Sequence, residues 1–158
     1  MTTNYVAVSA SSKTPSLKLI ALDSSGTQVS GNLVVPSLQD VTISNANDVF
    51  TWSQLNESAK LQVATTSTNS VSTNVVVEEL TFFGSNVAGT SASQLGLIGL
   101  SKNKTKCDFE IVMGTKTFTG KGYVTGLAPT VSADSPVWVT PVTITVSGEY
   151  AFTPTLTS

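Results

Sequence analysis

Residues 106–150 read KCDFEIVMGTKTFTGKGYVTGLAPTVSADSPVWVTPVTITVSGEY, and this stretch decides the fold. Phe109, Ile111 and Met113 alternate with Asp108, Glu110 and Val112, and Val142, Ile144 and Val146 alternate with Thr143, Thr145 and Ser147. A period of two puts one set of side chains on a buried face and the other in water, which is the mark of a strand. The stretch is therefore read as three strands. The first ends at a turn at Gly114, the second spans residues 117–127, and the third spans 137–148 after a loop at 129–136. A meander of this kind is a scaffold, and it carries no catalytic motif.

Working outward, the chain of 158 residues is one domain, 1–158, on the usual scale of about 100–200 residues per domain. Charged residues make up 11% of it, against about 25% in ordinary domains, and Ser and Thr fill the surface instead. A freely diffusing monomer usually stays soluble through net charge, whereas a subunit that buries much of its surface in an assembly has less need of it. The net charge is −2, with eight Lys, no Arg and no His. That excludes a basic nucleic-acid footprint. It also removes the commonest general base and metal ligand, so no catalytic residue, metal or cofactor is expected. The single Cys107 cannot form an internal disulfide and reads as a buried thiol. No run approaches the ~18 apolar residues of a membrane helix, and the first residues lack the features of a signal peptide. The expectation is a soluble protein made in a cytoplasm, with no membrane insertion.

Before the meander, residues 3–9 and 16–22 read as strands around Pro15, and the turn residues 23–26 close a hairpin from 17–22 to 27–35. A strand around Val41 and Ile43, a loop at 45–48 and an aromatic strand at 49–55 follow, with Trp52 as a core or interface anchor. The run Thr65, Thr66, Ser67, Thr68, Asn69, Ser70, Val71, Ser72, Thr73 and Asn74 has two readings. It is either a mobile polar surface loop or a long hairpin tip that reaches a neighbouring subunit. Residues 75–83 read as a strand, on which Glu78 and Glu79 point to opposite faces and do not form a carboxylate pair. Residues 91–103 give the one helix, capped by Ser91 or Ser93, with an apolar stripe of Leu95, Ile98 and Leu100. Gly96 and Gly99 weaken that helix by about 1 kcal/mol each. Residues 151–158 read as an extended, loosely held terminus. Gly120-Lys121-Gly122 lacks the upstream glycine of a P-loop, and no acidic run has calcium-loop spacing.

Three stretches together carry a likeness. One is Thr51-Trp52-Ser53-Gln54-Leu55 leading into Leu61-Gln62-Val63. Another is the helix at 91–103 followed by Asp108-Phe109-Glu110-Ile111. The third runs Thr117-Phe118-Thr119-Gly120-Lys121-Gly122-Tyr123-Val124-Thr125-Gly126-Leu127, then the strand 140–147 and Gly148-Glu149. In pattern and order the chain resembles the major tail tube proteins of long-tailed, siphophage-like bacteriophages. The resemblance covers residues 49–150, and the first 48 residues carry none of it. It implies a mainly β fold of two packed antiparallel sheets, sandwich- or barrel-like, with one short flanking helix. Six subunits would join their inner sheets into a ring around a channel, and the rings would stack into a tube. Genomic DNA would transit the lumen without specific binding. The implied partners are a tape-measure protein, a tail terminator and a baseplate or initiator. The implied location is the virion tail, assembled in the host cytoplasm.

Within that frame the expected lumen carboxylates are Asp108 and Glu110, and the expected inter-ring segment is 65–74. Deleting that segment is expected to abolish tubes while leaving the monomer folded. Trp52, Phe118, Tyr123 and Trp138 are the expected core or interface aromatics. The alternatives are a capsid decoration protein or fibre domain, a secretion-system tube protein, and a carbohydrate-binding β-sandwich using Trp52, Trp138 and Tyr123 as a stacking platform.

Overall fold

The computed structural model describes residues 16–35, 38–53, 59–113 and 116–154, so the expected strand at 3–9 and the turn at Pro15 lie outside the described residues. The elements are β1 (Leu17–Ala21), β2 (Leu33–Val35), β3 (Leu38–Trp52), β4 (Leu61–Val76), α1 (Glu79–Phe83), α2 (Ala92–Lys102), β5 (Lys106–Met113), β6 (Lys116–Leu127), β7 (Thr130–Ser132) and β8 (Ser135–Pro154). All the strands join one antiparallel sheet in the order β2-β1-β5-β6-β8-β4-β3, with β7 on β8.

The two expected sheets take the form of two half-sheets that share β6 and β8. One is β2-β1-β5 with residues 116–123 of β6 and 150–154 of β8, and the other is residues 123–127 of β6 and 139–145 of β8 with β4 and β3. Between them the ladder breaks. Gly120 pairs with Tyr150 and Gly122 with Val146, so Lys121 faces three residues of β8, 147–149. Gly148 sits there with φ 93°, a conformation that side chains with a Cβ resist. A bulge of this kind bends and twists the strand. It curls the sheet into a half-barrel.

Alternation then fills the inside of the curl. Leu17, Leu19 and Ala21 of β1, Phe109 and Ile111 of β5, Phe118 and Val124 of β6, Val142 and Ile144 of β8, and Val71 and Val75 of β4 are all buried in one core. Helix α2 closes it with Ala92, Leu95, Leu97 and Leu100. Its start follows the expectation: the Ser91 hydroxyl accepts from the Gln94 backbone N–H, and Gln94 reaches back to the Ser91 backbone. Its interior does not. Gly96 adopts φ 66°, and the kink turns Leu97 and Leu100 inward while Ile98 stands 38% exposed, so the expected Leu95-Ile98-Leu100 stripe is corrected.

The remaining departures share one cause, which is the availability of pairing partners. Residues 45–48 and 65–74 are not loops. They lie in β3 and β4, which pair from Leu38↔Val75 to Trp52↔Leu61 in one long hairpin. Deleting 65–74 would remove the buried Asn69, Val71 and Thr73 and break the core, so the folded deletion monomer expected from the sequence is also corrected. Residues 79–83 are helical because β4 loses its β8 partner after Val76↔Val139, and the backbone then closes its own bonds, with the Phe82 N–H donating to the Glu78 carbonyl. The loop at 129–136 is largely the β7–β8 hairpin. The terminus is held through residue 154, because β8 continues past Gly148 and pairs again with the start of β6.

Candidate functional site

The four-stranded half-sheet, β6-β8-β4-β3, holds the features that call for a partner. β4 is paired with β8 only from Ser70 to Val76. From Asn45↔Asn69 to Trp52↔Leu61, β3 and β4 therefore run on as a two-stranded arm. Eight residues of strand give it a reach of roughly 25 Å. Residues 44–52 and 62–68 are exposed on both faces. Opposite Asp48 stand two residues of β4, Thr65 and Thr66, and both hydroxyls donate to it, to the carbonyl at 3.2 Å and to the carboxylate at 2.9 Å. This bulge fixes the register of the distal arm. Beyond it, Phe50 pairs with Val63 and Trp52 with Leu61, so all four side chains share one face. The Phe50 and Trp52 rings stack at 5.8 Å. Phe50 is 59% exposed and Val63 48%. An isolated two-stranded ribbon is marginal in water, and an apolar patch at its end asks for cover.

Among the described residues both edges of this half-sheet are open. There β3 pairs with β4 alone, and its 15 residues include no Lys and no Pro, the usual guards of an exposed edge. On the far side, β5 stops pairing at Lys106↔Tyr123, so residues 124–127 of β6 have no strand beside them among the described residues. Because each neighbour in the order β6-β8-β4-β3 is antiparallel, β3 and β6 also run antiparallel to each other. The β3 edge of one copy can thus extend the sheet at the β6 edge of the next.

Two rows of the half-sheet's solvent face are rich in hydroxyls: Ser44, Ser70, Thr145 and Tyr123 form one, which Lys106 of β5 continues, and Thr42, Ser72, Thr143 and Gly126 form the next. Thr125 and Thr145 share a hydrogen bond of 2.9 Å.

Asp108 and Glu110 stand instead on the other half-sheet, and each has a lysine. The Lys121 ammonium lies 2.8 Å from Asp108, whose second oxygen accepts from Gln28 at 2.7 Å, and Lys18 lies 3.8 Å from Glu110. Burial alone would raise the Asp108 pKa, but the hydrogen bonds from Gln28 and Lys121 and the nearby ammonium groups win and lower it. These groups line a shallow groove of about 560 Å³ beside Gly148 and Glu149. Two lysines, Lys18 and Lys121, stand there against three carboxylates, Asp108, Glu110 and Glu149. Among the described residues no cluster of His, Cys, Asp and Glu could hold a metal ion.

The four expected aromatics separate. Phe118 is fully buried, with Tyr150 and Phe152 at 5.0 and 4.9 Å. Tyr123 is half-buried on the hydroxyl face. Trp52 and Trp138 are exposed at opposite ends of the long hairpin, since the carbonyl of Trp138 accepts from Val77 just past β4 and Trp52 pairs at its start. Some 15 residues of strand, roughly 50 Å, lie between them, so the three proposed platform rings do not meet. In the sequence 49–55 reads as a strand with no stated partner; the signal for the patch is the alternation that puts Phe50 and Trp52 in phase with Leu61 and Val63 across a hairpin.

No family model matches the chain, and no curated protein matches it by sequence. Solved structures do. The six-fold symmetrised baseplate of the anti-feeding prophage matches with TM-score 0.66 at 11% identity, over 98% of each chain. The SPP1 tail tube matches with TM-score 0.61 at 9% identity, over 90% of this chain and 78% of that one. The tail of an empty gene transfer agent particle, refined with C6 symmetry, matches with TM-score 0.58 at 15% identity, over 85% and 94%. The chain has the fold of tail tube proteins.

Proposed function

We propose that this chain is a structural subunit of a phage-like tail. Six copies close a ring, the rings stack into a tube, and the genome leaves through it. The observation that carries this reading is the four-stranded half-sheet with open antiparallel edges on both sides. Edge-to-edge joining of β3 to β6 satisfies both sets of backbone groups, is head-to-tail, and closes into a ring when the rotation per copy divides a full turn. The sixfold value is taken from similar folds in a C6 tail and a six-fold baseplate. Stacking is assigned to the arm. Its apolar tip lies at one pole, while Val131, Val137 and Trp138 stand half exposed at the other, so contact between unlike poles propagates as an open filament. The inter-ring role given to 65–74 then belongs to its exposed part, 65–68, with the rest of the arm. A virion-tail location, assembly in the host cytoplasm, and a tape-measure protein, terminator and baseplate or initiator as partners complete the proposal.

Sedimentation across a concentration series tests it, comparing the wild-type chain with a Phe50→Asp, Trp52→Asp double variant. The wild-type chain should grow past single rings, and the variant should unfold at the same temperature yet stop at rings or monomers. A variant that polymerises like the wild-type chain would overturn the stacking role of the arm.

A further inference from the structure

The lysines of this chain are unevenly used. Lys18 and Lys121 stand in ion pairs with Glu110 and Asp108. Lys102, Lys104 and Lys106 crowd the end of α2 and the start of β5, and among the described residues none of the three lies within ion-pair distance of a carboxylate. The acids beside them are engaged elsewhere. Asp108, two residues on from Lys106, is held by Lys121 and Gln28. Asp23 follows the Leu22 whose N–H donates to the Lys106 carbonyl, and it accepts from Ser25 and Thr27 in its own turn. β3 has the opposite character. Its 15 residues carry two carboxylates, Asp40 and Asp48, and no cation. Asp40 is occupied by Asn74, which donates through its backbone N–H at 2.9 Å and its side chain at 2.8 Å. Asp48 is exposed, and it is the only charged residue in 45–52 and 61–68, the two strands of the arm. We infer that Asp48 of one copy is the electrostatic partner of the Lys102, Lys104 and Lys106 cluster of the next, and that this contact fixes the register in which β3 joins β6.

The inference rests on the ring reading, in which β3 extends the sheet at the open β6 edge. An incoming β3, antiparallel to β6, runs from beside Leu127 toward Val124. The next place along that edge is already filled, because Lys106 pairs with Tyr123. The incoming strand therefore meets the lysines where it runs out of partner, and Asp48 is the one charge in the part of β3 that lies ahead. Backbone pairing alone fits registers two residues apart, since a shift of two leaves each side chain on its own face. A charge pair distinguishes them. Opposite charges on the two unlike edges also steer the copies together and penalise wrong pairings.

Charge reversal tests the contact, with ring populations read by sedimentation velocity. One variant carries Lys104→Glu and Lys106→Glu, and a second carries Asp48→Lys. Each alone should raise the concentration at which rings form on the order of tenfold or more, because like charges then face each other at every seam. The gap from the wild-type chain should narrow as salt rises from about 50 to 500 mM. Mixed one to one, the two variants should form rings at the wild-type concentration. Each seam between unlike variants pairs opposite charges again, and a ring with an even number of copies closes with the two alternating. Asp48→Asn keeps an acceptor for the Thr66 hydroxyl and should cost less than Asp48→Lys. A lysine variant that forms rings like the wild-type chain would overturn the inference. So would a mixture that stays dispersed, or equal losses from Asp48→Asn and Asp48→Lys, which would assign the effect to the fold of the arm. All three results leave wild-type rings standing, whereas a wild-type chain that forms no ring under electron microscopy would sink the ring reading itself.

Discussion

Asp108 shows how a single residue changes meaning once its neighbours are known. Alternation alone sets it on a wet face, and so it does in the structure, but alternation says nothing about Lys121 and Gln28 closing on its two oxygens. Its pKa is lowered, so the stability it contributes is fully present above the ordinary carboxylate value near 4 and is lost as pH falls through the folded value. Asp108→Asn should therefore destabilise the monomer by about 0.5–1 kcal/mol at pH 7, with the difference shrinking as pH falls below about 4. Thermal unfolding of both proteins at the two pH values checks this, and a difference independent of pH would contradict it. Cys107 was legible outright, since a lone thiol between strand neighbours that point outward belongs in the core. It should ignore thiol reagents at neutral pH until the chain unfolds, as reagent kinetics with and without denaturant would show.

At the scale of elements, the meander was readable because alternation is a local signal that tertiary contacts only reinforce. The helix start was readable for the same reason, from Ser91 or Ser93 as the cap, and the structure selects Ser91. What could not be read was anything set by distant partners. The polar run 65–74 looks like a loop in isolation and is a strand because β3 and β8 flank it. Residues 79–83 look like a strand and become helical where β8 no longer flanks them. The kink at Gly96 belongs here too. A Cβ at Gly96 would fall 2.4 Å from the Gly84 nitrogen and 2.6 Å from the Phe82 carbonyl oxygen, so α1 and α2 meet backbone to backbone. Gly96→Ala should cost about 2–3 kcal/mol from the left-handed backbone and the clash together. Gly148→Ala shares the positive φ but meets nothing within 4 Å, and should cost only about 1–2 kcal/mol. Chemical denaturation of the two variants separates the terms, and equal losses would show that the α1–α2 contact contributes nothing.

For the whole molecule, the sparse charge of the sequence pointed to assembly without saying which surfaces take part. The structure supplies candidates that composition cannot encode: two sheet edges open among the described residues, and an arm with an apolar tip. Each is marginal or aggregation-prone in a lone monomer and ordinary in a stacked ring. The Phe118–Tyr150–Phe152 cluster, by contrast, belongs to the folded monomer, and Phe118→Ala should cost about 3–5 kcal/mol of its stability, measured by denaturant titration, before any question of assembly arises.

The most direct test of the central claim is electron microscopy of the purified chain, carried to a resolution that separates strands. The prediction is stacked sixfold rings with an open channel and β3 of each subunit beside β6 of the next. A discrete monomer or trimer at every concentration, even when seeded with preformed tail ends, would contradict it, as would rings joined through other edges.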